Sequence, residues 1–215
     1  LRLDDFSACG GAQTVHIKNA WTGGVNQAEN RQDAALSGAT QVVTVTIGGN
    51  DIGFENVVLG CIAANCQVAV DNALLQISAL GPVLNAAYSA ILSEATSAEV
   101  YVVGYPPLVE DDSDALCASS SQATYPATLT NKTLIRTVLD ELNAAIESAV
   151  ADVQTTSPNL HYVPAVDVNG IFEGHDICSE VPYYNGLLVD RQAESFHPNV
   201  LGQEAYAELL STYVS

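Results

Sequence analysis

The sequence VVTVTIGGND occupies Val42–Asp51 and predicts a buried strand that ends in a polar turn. Its first six residues are all β-branched, which is typical of a strand covered by other elements. Two glycines then permit a tight turn, and Asn50 and Asp51 follow them directly. In open α/β sheets, ligands bind at the carboxyl ends of the strands. The stretch therefore predicts an α/β protein with a polar site at Asn50.

A second polar segment, ESFHPN, lies far downstream at Glu194–Asn199. It places His197 directly before a Pro-Asn turn, with the carboxylate of Glu194 three residues earlier. An amide donor, a histidine base and an acid are three parts of an acyl-transfer site. The two segments together therefore indicate acyl transfer, although the fourth part, a nucleophile, is not evident.

Length and composition fit one globular α/β domain that spans residues 1–215. Hydrophobic residues make up 48% of the chain and charged residues 14%, which is typical of a folded protein. The formal net charge of −19 argues against nucleic acid and anionic membranes as partners. No apolar run is long enough for a bilayer, so no transmembrane segment is expected. We expect a secreted protein from an acidic or extracellular habitat.

The spacing of the cysteines predicts two disulfide bonds. Cys61 and Cys66 are close enough to close one loop, and Cys117 and Cys178 both lie in polar connecting segments. Cys9 is then left over, so its partner is expected outside this chain; the alternative is a buried thiol packed as a small hydrophobic group. No Cys-x-x-Cys motif occurs and the histidines are scattered, so neither a metal nor another cofactor is expected.

Hydrophobic periodicity predicts alternating strands and helices. Strands are expected near residues 1–6, 42–47, 100–103 and 160–166. Helices are expected near residues 26–36, 68–96 in two parts divided at Gly81-Pro82, 130–153 and 201–213. Strands separated by helices predict a parallel sheet with helices on both faces. The segments 53–67 and 110–125 are expected to be loops that form walls of the binding pocket.

These motifs carry a family resemblance. GGND at residues 48–51 resembles block III of the SGNH, or GDSL-type, hydrolases, and the segment ending in His197 resembles their block V. Cys9–Ala12 is similar to block II of the secreted actinobacterial-type lipases and esterases of that family. The resemblance continues through Tyr105–Pro107 and Gly174–Cys178. It implies a three-layer α/β/α, flavodoxin-like fold and a cofactor-independent serine ester hydrolase that acts on acyl esters or lipids through an acyl-enzyme.

The resemblance also implies roles for the site residues. The backbone N–H of Gly11 and the side-chain amide of Asn50 would stabilise the oxyanion. His197 would serve as general base toward the nucleophile and then as general acid toward the leaving alcohol. Two ways of orienting His197 remain open. One uses the carboxylate of Glu194, where the family usually has Asp, and the other uses the main-chain carbonyl of Ser195, as in some secreted relatives.

Block I, the Gly-Asp-Ser motif whose serine is the nucleophile in the family, does not occur in the 215 residues. Ser7 is the only serine near block II, but it has no Gly-Asp partner and follows the wrong strand. In the family, the block I strand lies between the block II and block III strands, and a cysteine after it pairs with the one at the position of Cys9. We therefore expect a docked N-terminal segment of the same precursor as a partner. The alternative is a non-catalytic, ligand-binding pseudoenzyme.

Overall fold

The protein is described here by a computed structural model, which covers residues 5–22, 30–62, 66–110, 131–165, 170–188 and 194–214. Its three strands, β1 (Val42–Val45), β2 (Glu99–Val103) and β3 (Leu160–Val163), form one parallel sheet in the order β1-β2-β3. The helices are α1 (Phe54–Ile62), α2 (Gln67–Ser78), α3 (Gly81–Glu94), α4 (Lys132–Gln154) and α5 (Val200–Ser211), with short 3-10 helices at Thr14–Ile17 and Gln32–Ala35.

Side chains of the sheet alternate between two helical layers, because successive residues of a strand point to opposite faces. Val100, Val102 and Leu160 are buried in one core cluster together with residues of α1–α4. Tyr101, Val103 and Val163 are buried on the other face with residues of α5. The predicted α/β/α layering with a parallel sheet is therefore confirmed.

The long helix α4 is the main support of the first layer. Its buried positions recur every three or four residues, as expected for an amphipathic helix with one face on the core: Ile135, Val138, Leu139, Leu142, Ile146, Ala149, Val150 and Val153. The same face carries Asn143, a buried polar residue. Burying this face against α2, α3 and β3 fixes the helix beside the carboxyl ends of the strands.

The outer edge of β1 differs from the rest of the sheet. β1 pairs with β2 on one side, and among the described residues no strand pairs with its other side. Val43 and Val45 are only partly buried and Thr44 is exposed, whereas the last four residues of β2 are all buried. A strand with so many β-branched residues is normally covered, so this edge is an incompletely covered part of the fold.

The prediction of a strand at residues 1–6 is not borne out where it can be examined. Residues 1–4 lie outside the described part, and Asp5 and Phe6 belong to no strand. Phe6 is 78% exposed, so nothing in the described structure packs on it. A short, weakly alternating segment forms a strand only when a neighbouring strand pairs with it, and that context was not available from local sequence.

Two further predictions need correction. Residues 53–67 were expected to form a loop, but Phe54–Ile62 forms helix α1, because Val57, Val58 and Cys61 lie on one side of a helix and are completely buried. The helix expected at 26–36 appears, within the described residues, only as the 3-10 helix Gln32–Ala35. The predicted loop at 110–125 falls mostly outside the described residues.

No single helix in the described part of the chain is long and apolar enough to cross a bilayer. Helices α2 and α3 pass the length and composition criteria as a pair, but they are bent by 56° relative to each other. Both helices also contribute buried residues to the core cluster.

Candidate active site

The turn after β1 brings Asn50 to the carboxyl edge of the sheet. Gly48 has a φ of +119°, a conformation that side chains rarely adopt, and a Cβ there would contact leucines of the core. The N–H of Asp51 donates to the carbonyl of Gly48 at 3.1 Å, which closes the turn. Asn50 itself is exposed. The glycines of the motif therefore shape the turn, and its amide is presented to solvent.

The segment of block II forms a second turn beside the first. Gly11 has a φ of +78° and is exposed, and the N–H of Ala12 donates to the carbonyl of Cys9 at 3.1 Å. The indole Nε1 of Trp21 donates to the carbonyl of Gly10 at 3.0 Å, so the Trp21 ring supports the turn from behind. The left-handed glycine allows the Trp21 ring to pack closely on the turn, since a Cβ at Gly11 would lie 3.3 Å from that ring.

Three sets of hydrogen bonds join these two turns. Nδ2 of Asn50 donates to the carbonyl of Ala12 at 2.9 Å, and Nε2 of Gln13 donates to the carbonyl of Asn50 at 3.1 Å. The carboxylate of Asp51 accepts the N–H of Thr14 at 3.0 and 3.2 Å and its hydroxyl at 2.6 Å. Asp51 therefore holds the block II segment against block III.

His197 lies in a short connection that begins α5. Phe196, the preceding residue, has a φ of +63°, which turns the chain sharply. On either side of that turn, the N–H of Phe196 donates to the carbonyl of Asn185 at 3.2 Å, and the N–H of Asn185 donates to the carbonyl of His197 at 2.9 Å. The side chain of Asn199 caps α5 by accepting the N–H of Gly202 at 3.0 Å. The imidazole is therefore exposed on a firmly held loop.

The ring of His197 is oriented by the main chain. Its Nδ1 lies 2.9 Å from the carbonyl oxygen of Ser195, and this is its only hydrogen-bond partner among the described residues. A carbonyl oxygen only accepts hydrogen bonds, so Nδ1 carries the proton and Nε2 of the neutral ring is left as the acceptor. Ser195 is itself buried, and its hydroxyl accepts the N–H of Leu188 at 2.9 Å. Of the two arrangements that the sequence left open, the structure therefore has the one in which the main-chain carbonyl of Ser195 orients His197.

Glu194 contributes main-chain contacts at the same loop. Its carbonyl oxygen accepts the N–H of His197 at 3.3 Å and Nδ2 of Asn185 at 3.0 Å. These bonds join the segment around Asn185 to the segment that carries His197. The described contacts of Glu194 therefore stabilise the loop's shape, whereas the ring nitrogen is held by Ser195.

The other three histidines have structural partners. Nδ1 of His16 accepts the N–H of Gln13 at 2.8 Å, and His161 pairs with the carboxylate of Glu99 at 2.6 Å. Nδ1 of His175 donates to the carbonyl oxygen of Val181 at 2.8 Å. These contacts are structural.

Tyrosines connect the turn at Asn50 with the helix that follows His197. Burial raises the pKa of Tyr206, on α5, well above its ordinary value, and the nearby phenols of Tyr184 and Tyr105 raise it further. Burial likewise raises the pKa of Tyr105 to about 12. The hydrogen bond from the Gly49 N–H lowers this pKa, and the Asp51 carboxylate raises it. Tyr105 is therefore close enough to affect the electrostatics of both Asp51, in the turn after β1, and Tyr206, on α5. The raised pKa values mean that the phenols of Tyr105 and Tyr206 are neutral at physiological pH.

The disulfide predictions are met as far as the described residues reach. Cys61 and Cys66 are bonded to each other. Cys178 is also in a disulfide, and Cys117, its expected partner, lies outside the described residues. Sγ of Cys9 lies 3.3 Å from the carbonyl oxygen of Ser7. That Cys9 forms a disulfide with a cysteine outside this chain stays a prediction. The described residues contain no group of three or more His, Cys, Asp or Glu side chains placed to hold a metal ion.

Sequence reasoning missed the structural part played by Tyr105 and Asn143. The hydroxyl of Tyr105 accepts the N–H of Gly49 at 2.9 Å, and the side chain of Asn143 bonds the main chain of Tyr105. One signal was present in the sequence: Tyr105 follows the end of β2 after a single residue, Gly104, so it must lie at the same sheet edge as the turn after β1.

The structure combines a parallel sheet between two helical layers, an amide turn after β1, and a histidine before α5 that a main-chain carbonyl orients. These features indicate an α/β protein of the hydrolase type. Residues 1–205 match the model of the GDSL-like Lipase/Acylhydrolase family, and the chain belongs to that family. It is 30% identical over 204 residues to Lipase 1 of Streptomyces coelicolor, which covers 93% of this chain and 65% of that protein. It is 28% identical over 214 residues to a lipase of Streptomyces rimosus, covering 97% of this chain and 69% of that one.

Solved structures agree with this membership. The chain is similar to the crystal structure of phospholipase A1 from Streptomyces albidoflavus, with a TM-score of 0.77 and 29% identity, covering 98% of this chain and 80% of that one. It is also similar to the extracellular lipase of Streptomyces rimosus, with a TM-score of 0.74 and 26% identity over the same shares. The chain spans about two thirds of the length of the curated relatives that it matches.

Proposed function

We propose that this protein is a serine ester hydrolase that cleaves acyl esters, with lipids as the substrate class, through an acyl-enzyme intermediate. The observation that carries the proposal is the His197 ring, which the Ser195 carbonyl holds with Nε2 as the acceptor. Nε2 in this state takes the proton of an attacking hydroxyl and later returns it to the leaving alcohol. The lipases and the phospholipase A1 among its relatives support lipid esters as substrates.

The oxyanion site consists of the backbone N–H of Gly11 and the side chain of Asn50. Nδ2 of Asn50 has two hydrogens, and only one is needed for the bond to the Ala12 carbonyl. That bond fixes the plane of the amide, and the second hydrogen serves the oxyanion. Donors fixed before the reaction stabilise developing charge without reorganisation, which is why each contributes several kcal/mol in such sites. Asp51 and Thr14 keep the two donors at a constant separation.

The nucleophile lies on a segment that is not among these 215 residues and that docks on them. The Gly-Asp-Ser motif of the family is absent from the sequence, and the outer edge of β1 is only partly covered in the described structure. A parallel strand added at this edge would complete the sheet and bring its own carboxyl end next to Asn50. We refer below to the polypeptide that includes this segment as the full-length protein.

The second candidate function is a non-catalytic binding protein with the same pocket. The specific observation in its favour is that the described structure places no serine hydroxyl against His197. Secretion belongs to the proposal as well: Cys61, Cys66 and Cys178 are disulfide-bonded, the chain is strongly acidic, and the relative from Streptomyces rimosus is described as extracellular.

Ester hydrolysis by the full-length protein separates the two functions. With a chromogenic acyl ester, His197→Ala is expected to lower kcat/KM at least about a thousandfold and Asn50→Ala about 100- to 1000-fold. His161→Gln is the matched control, because His161 lies on β3 and pairs with Glu99. Full activity of His197→Ala, or no hydrolysis by a folded full-length protein, would contradict the enzyme.

A further inference from the structure

Tyr105 reaches from the end of β2 to the turn that carries Asn50. Its hydroxyl oxygen accepts the N–H of Gly49 at 2.9 Å. The N–H of Gly49 belongs to the Gly48–Gly49 peptide, and the Gly49–Asn50 peptide follows it directly. The hydrogen bond therefore anchors the turn one peptide before Asn50, and the direction of the Asn50 side chain depends on it through the backbone of Gly49.

Asn143 holds Tyr105 in turn. Its Oδ1 accepts the N–H of Tyr105, and its Nδ2 donates to the carbonyl of the same residue, each at 2.8 Å. Asn143 is 8% exposed and lies on the core-facing side of α4. Both polar atoms of the Asn143 side chain therefore bond the main chain of Tyr105. Through them, α4 holds the backbone of Tyr105 as a neighbouring strand would.

The surroundings leave the Tyr105 side chain little room. A Cβ added at Gly49 would lie 3.1 Å from the Tyr105 hydroxyl and 3.2 Å from the adjacent ring carbon. A Cβ added at Gly104 would lie 2.8 Å from the Tyr162 hydroxyl and 3.0 Å from Oδ1 of Asn143. Glycines at these two positions therefore allow the close approach of Tyr105 to the turn and of Asn143 to the end of β2.

We propose that Tyr105 and Asn143 are positioning residues of the active site, which hold the Gly48–Gly49 peptide in the turn before Asn50 so that the Asn50 amide meets the oxyanion. The inference rests on the proposed function, because it gives Tyr105 a role only through Asn50. Asn143 sets the backbone of Tyr105, Tyr105 sets the amide of Gly49, and Gly49 sets the direction of Asn50. The chain of contacts runs from α4 to the reacting atoms without touching the substrate.

The loss of this support acts mainly on the transition state. Without the Tyr105 hydroxyl, the Gly49 N–H has no partner at its present position, and the turn must move to find one. The oxyanion forms only during the reaction, so a displaced Asn50 weakens binding of the transition state and leaves ground-state binding nearly unchanged. The kinetic consequence is a fall in kcat at constant KM.

The test compares Tyr105→Phe with Tyr101→Phe in the full-length protein. Tyr101 is the matched control, since it lies on β2, the strand that leads to Tyr105, but on the face toward α5. Tyr105→Phe is expected to lower kcat about 10- to 100-fold with KM unchanged within about twofold, and Tyr101→Phe to leave kcat within about twofold. Equal kinetics of the two variants, or a fall carried by KM alone, would overturn the inference.

A double-mutant cycle with Asn50→Ala separates positioning from a general structural effect. If Tyr105 acts through Asn50, adding Tyr105→Phe to Asn50→Ala causes no further loss in kcat. Losses that multiply would overturn the positioning role while leaving the proposed function intact. An Asn50→Ala variant with wild-type kcat would instead contradict the oxyanion assignment of the proposed function itself. Should Tyr105→Phe not fold, the isosteric Asn143→Asp variant replaces it in the same cycle. No further loss in kcat on top of Asn50→Ala would again support positioning, and losses that multiply would overturn it.

Discussion

The carbonyl oxygen of Ser195 lies 2.9 Å from Nδ1 of His197, so the histidine is oriented by the main chain two residues before it. A peptide carbonyl fixes the tautomer of the ring as a carboxylate does, but it brings no charge to the site. The loop that supplies it is held by the buried Ser195 hydroxyl and by the paired main-chain bonds to Asn185. In the proposed mechanism, the rigidity of this loop therefore replaces the acid of a triad.

The first prediction concerns the side chain of Glu194. Because the Ser195 carbonyl orients His197, Glu194→Gln in the full-length protein is expected to retain kcat/KM for ester hydrolysis within about threefold of wild type. His197→Ala, measured in the same assay, provides the lower limit. A loss of more than about a hundredfold on Glu194→Gln would show that the carboxylate acts as the acid of a triad.

The second prediction concerns the bond between the two turns. Thr14→Val removes the hydroxyl that donates to the Asp51 carboxylate at 2.6 Å. We expect a fall of about 1.5–3 kcal/mol in the free energy of unfolding, measured by urea denaturation, because a hydrogen bond to a partly buried charged group is lost. Thr137→Val on α4 is the control, since its exposed hydroxyl bonds only the preceding turn of the helix, and it should stay within about 0.5 kcal/mol. If both variants are equally stable, the Asp51 link has no energetic importance.

A third prediction concerns Gly202, in the first turn of α5. A Cβ at this position would overlap the carbonyl oxygen of Tyr183 and lie 3.0 Å from Cβ of Pro198. Gly202→Ala is therefore expected to destabilise the protein by about 1–3 kcal/mol and to lower kcat, because Pro198 adjoins His197. In contrast, Gly81→Ala meets nothing within 4 Å and should cost no stability or add up to about 1 kcal/mol. Thermal unfolding and the ester assay on both variants check this, and a neutral Gly202→Ala would be incompatible with the described packing.

The fourth prediction concerns alkaline pH. Burial raises the pKa of Tyr105 to about 12, from an ordinary value of 10.0. The folded protein therefore keeps this phenolic proton at a pH where the unfolded chain loses it. Its contribution to stability is complete below pH 10 and is lost as the pH rises from about 10 to 12, at a slope of at most about 1.4 kcal/mol per pH unit.

Urea denaturation at a series of pH values from about 9 to about 11.5 measures that slope. Tyr105→Phe should reduce the decline of the free energy of unfolding above pH 10, since it removes one titrating group. The remaining decline is expected from Tyr88 and Tyr184, whose pKa values burial also raises. A slope identical in wild type and Tyr105→Phe would contradict a buried, neutral Tyr105.

Much of the fold could be predicted from sequence because its signals are local. β1, β2 and β3 are runs of β-branched and apolar residues, and α4 repeats apolar residues at helical spacing, so each was located within a few residues. The helix α1 was missed, because its short apolar pattern lies between glycines and a cysteine pair and resembles a loop. The segment at Asp5–Phe6 was overestimated, because a strand needs a partner that local sequence does not reveal.

The site was predictable only in part for the same reason. Asn50 and His197 were located from their motifs, since glycine turns and a His-Pro-Asn sequence have recognisable patterns. The contacts that organise them join residues far apart in the chain: Thr14 with Asp51, Gly49 with Tyr105, and Tyr105 with Asn143. Such pairings follow from the packing of strands and helices, and no spacing along the sequence encodes them.

The central claim is that His197 serves a serine nucleophile carried by a docked segment outside these 215 residues. Labelling of the full-length protein with a fluorophosphonate probe, followed by peptide mapping, tests it most directly. We expect one covalent adduct, on a serine of that segment, and no adduct in the same time with His197→Ala, because the unassisted hydroxyl reacts slowly. An adduct on a serine within residues 1–215, or none on a preparation of verified intact mass, would contradict the account.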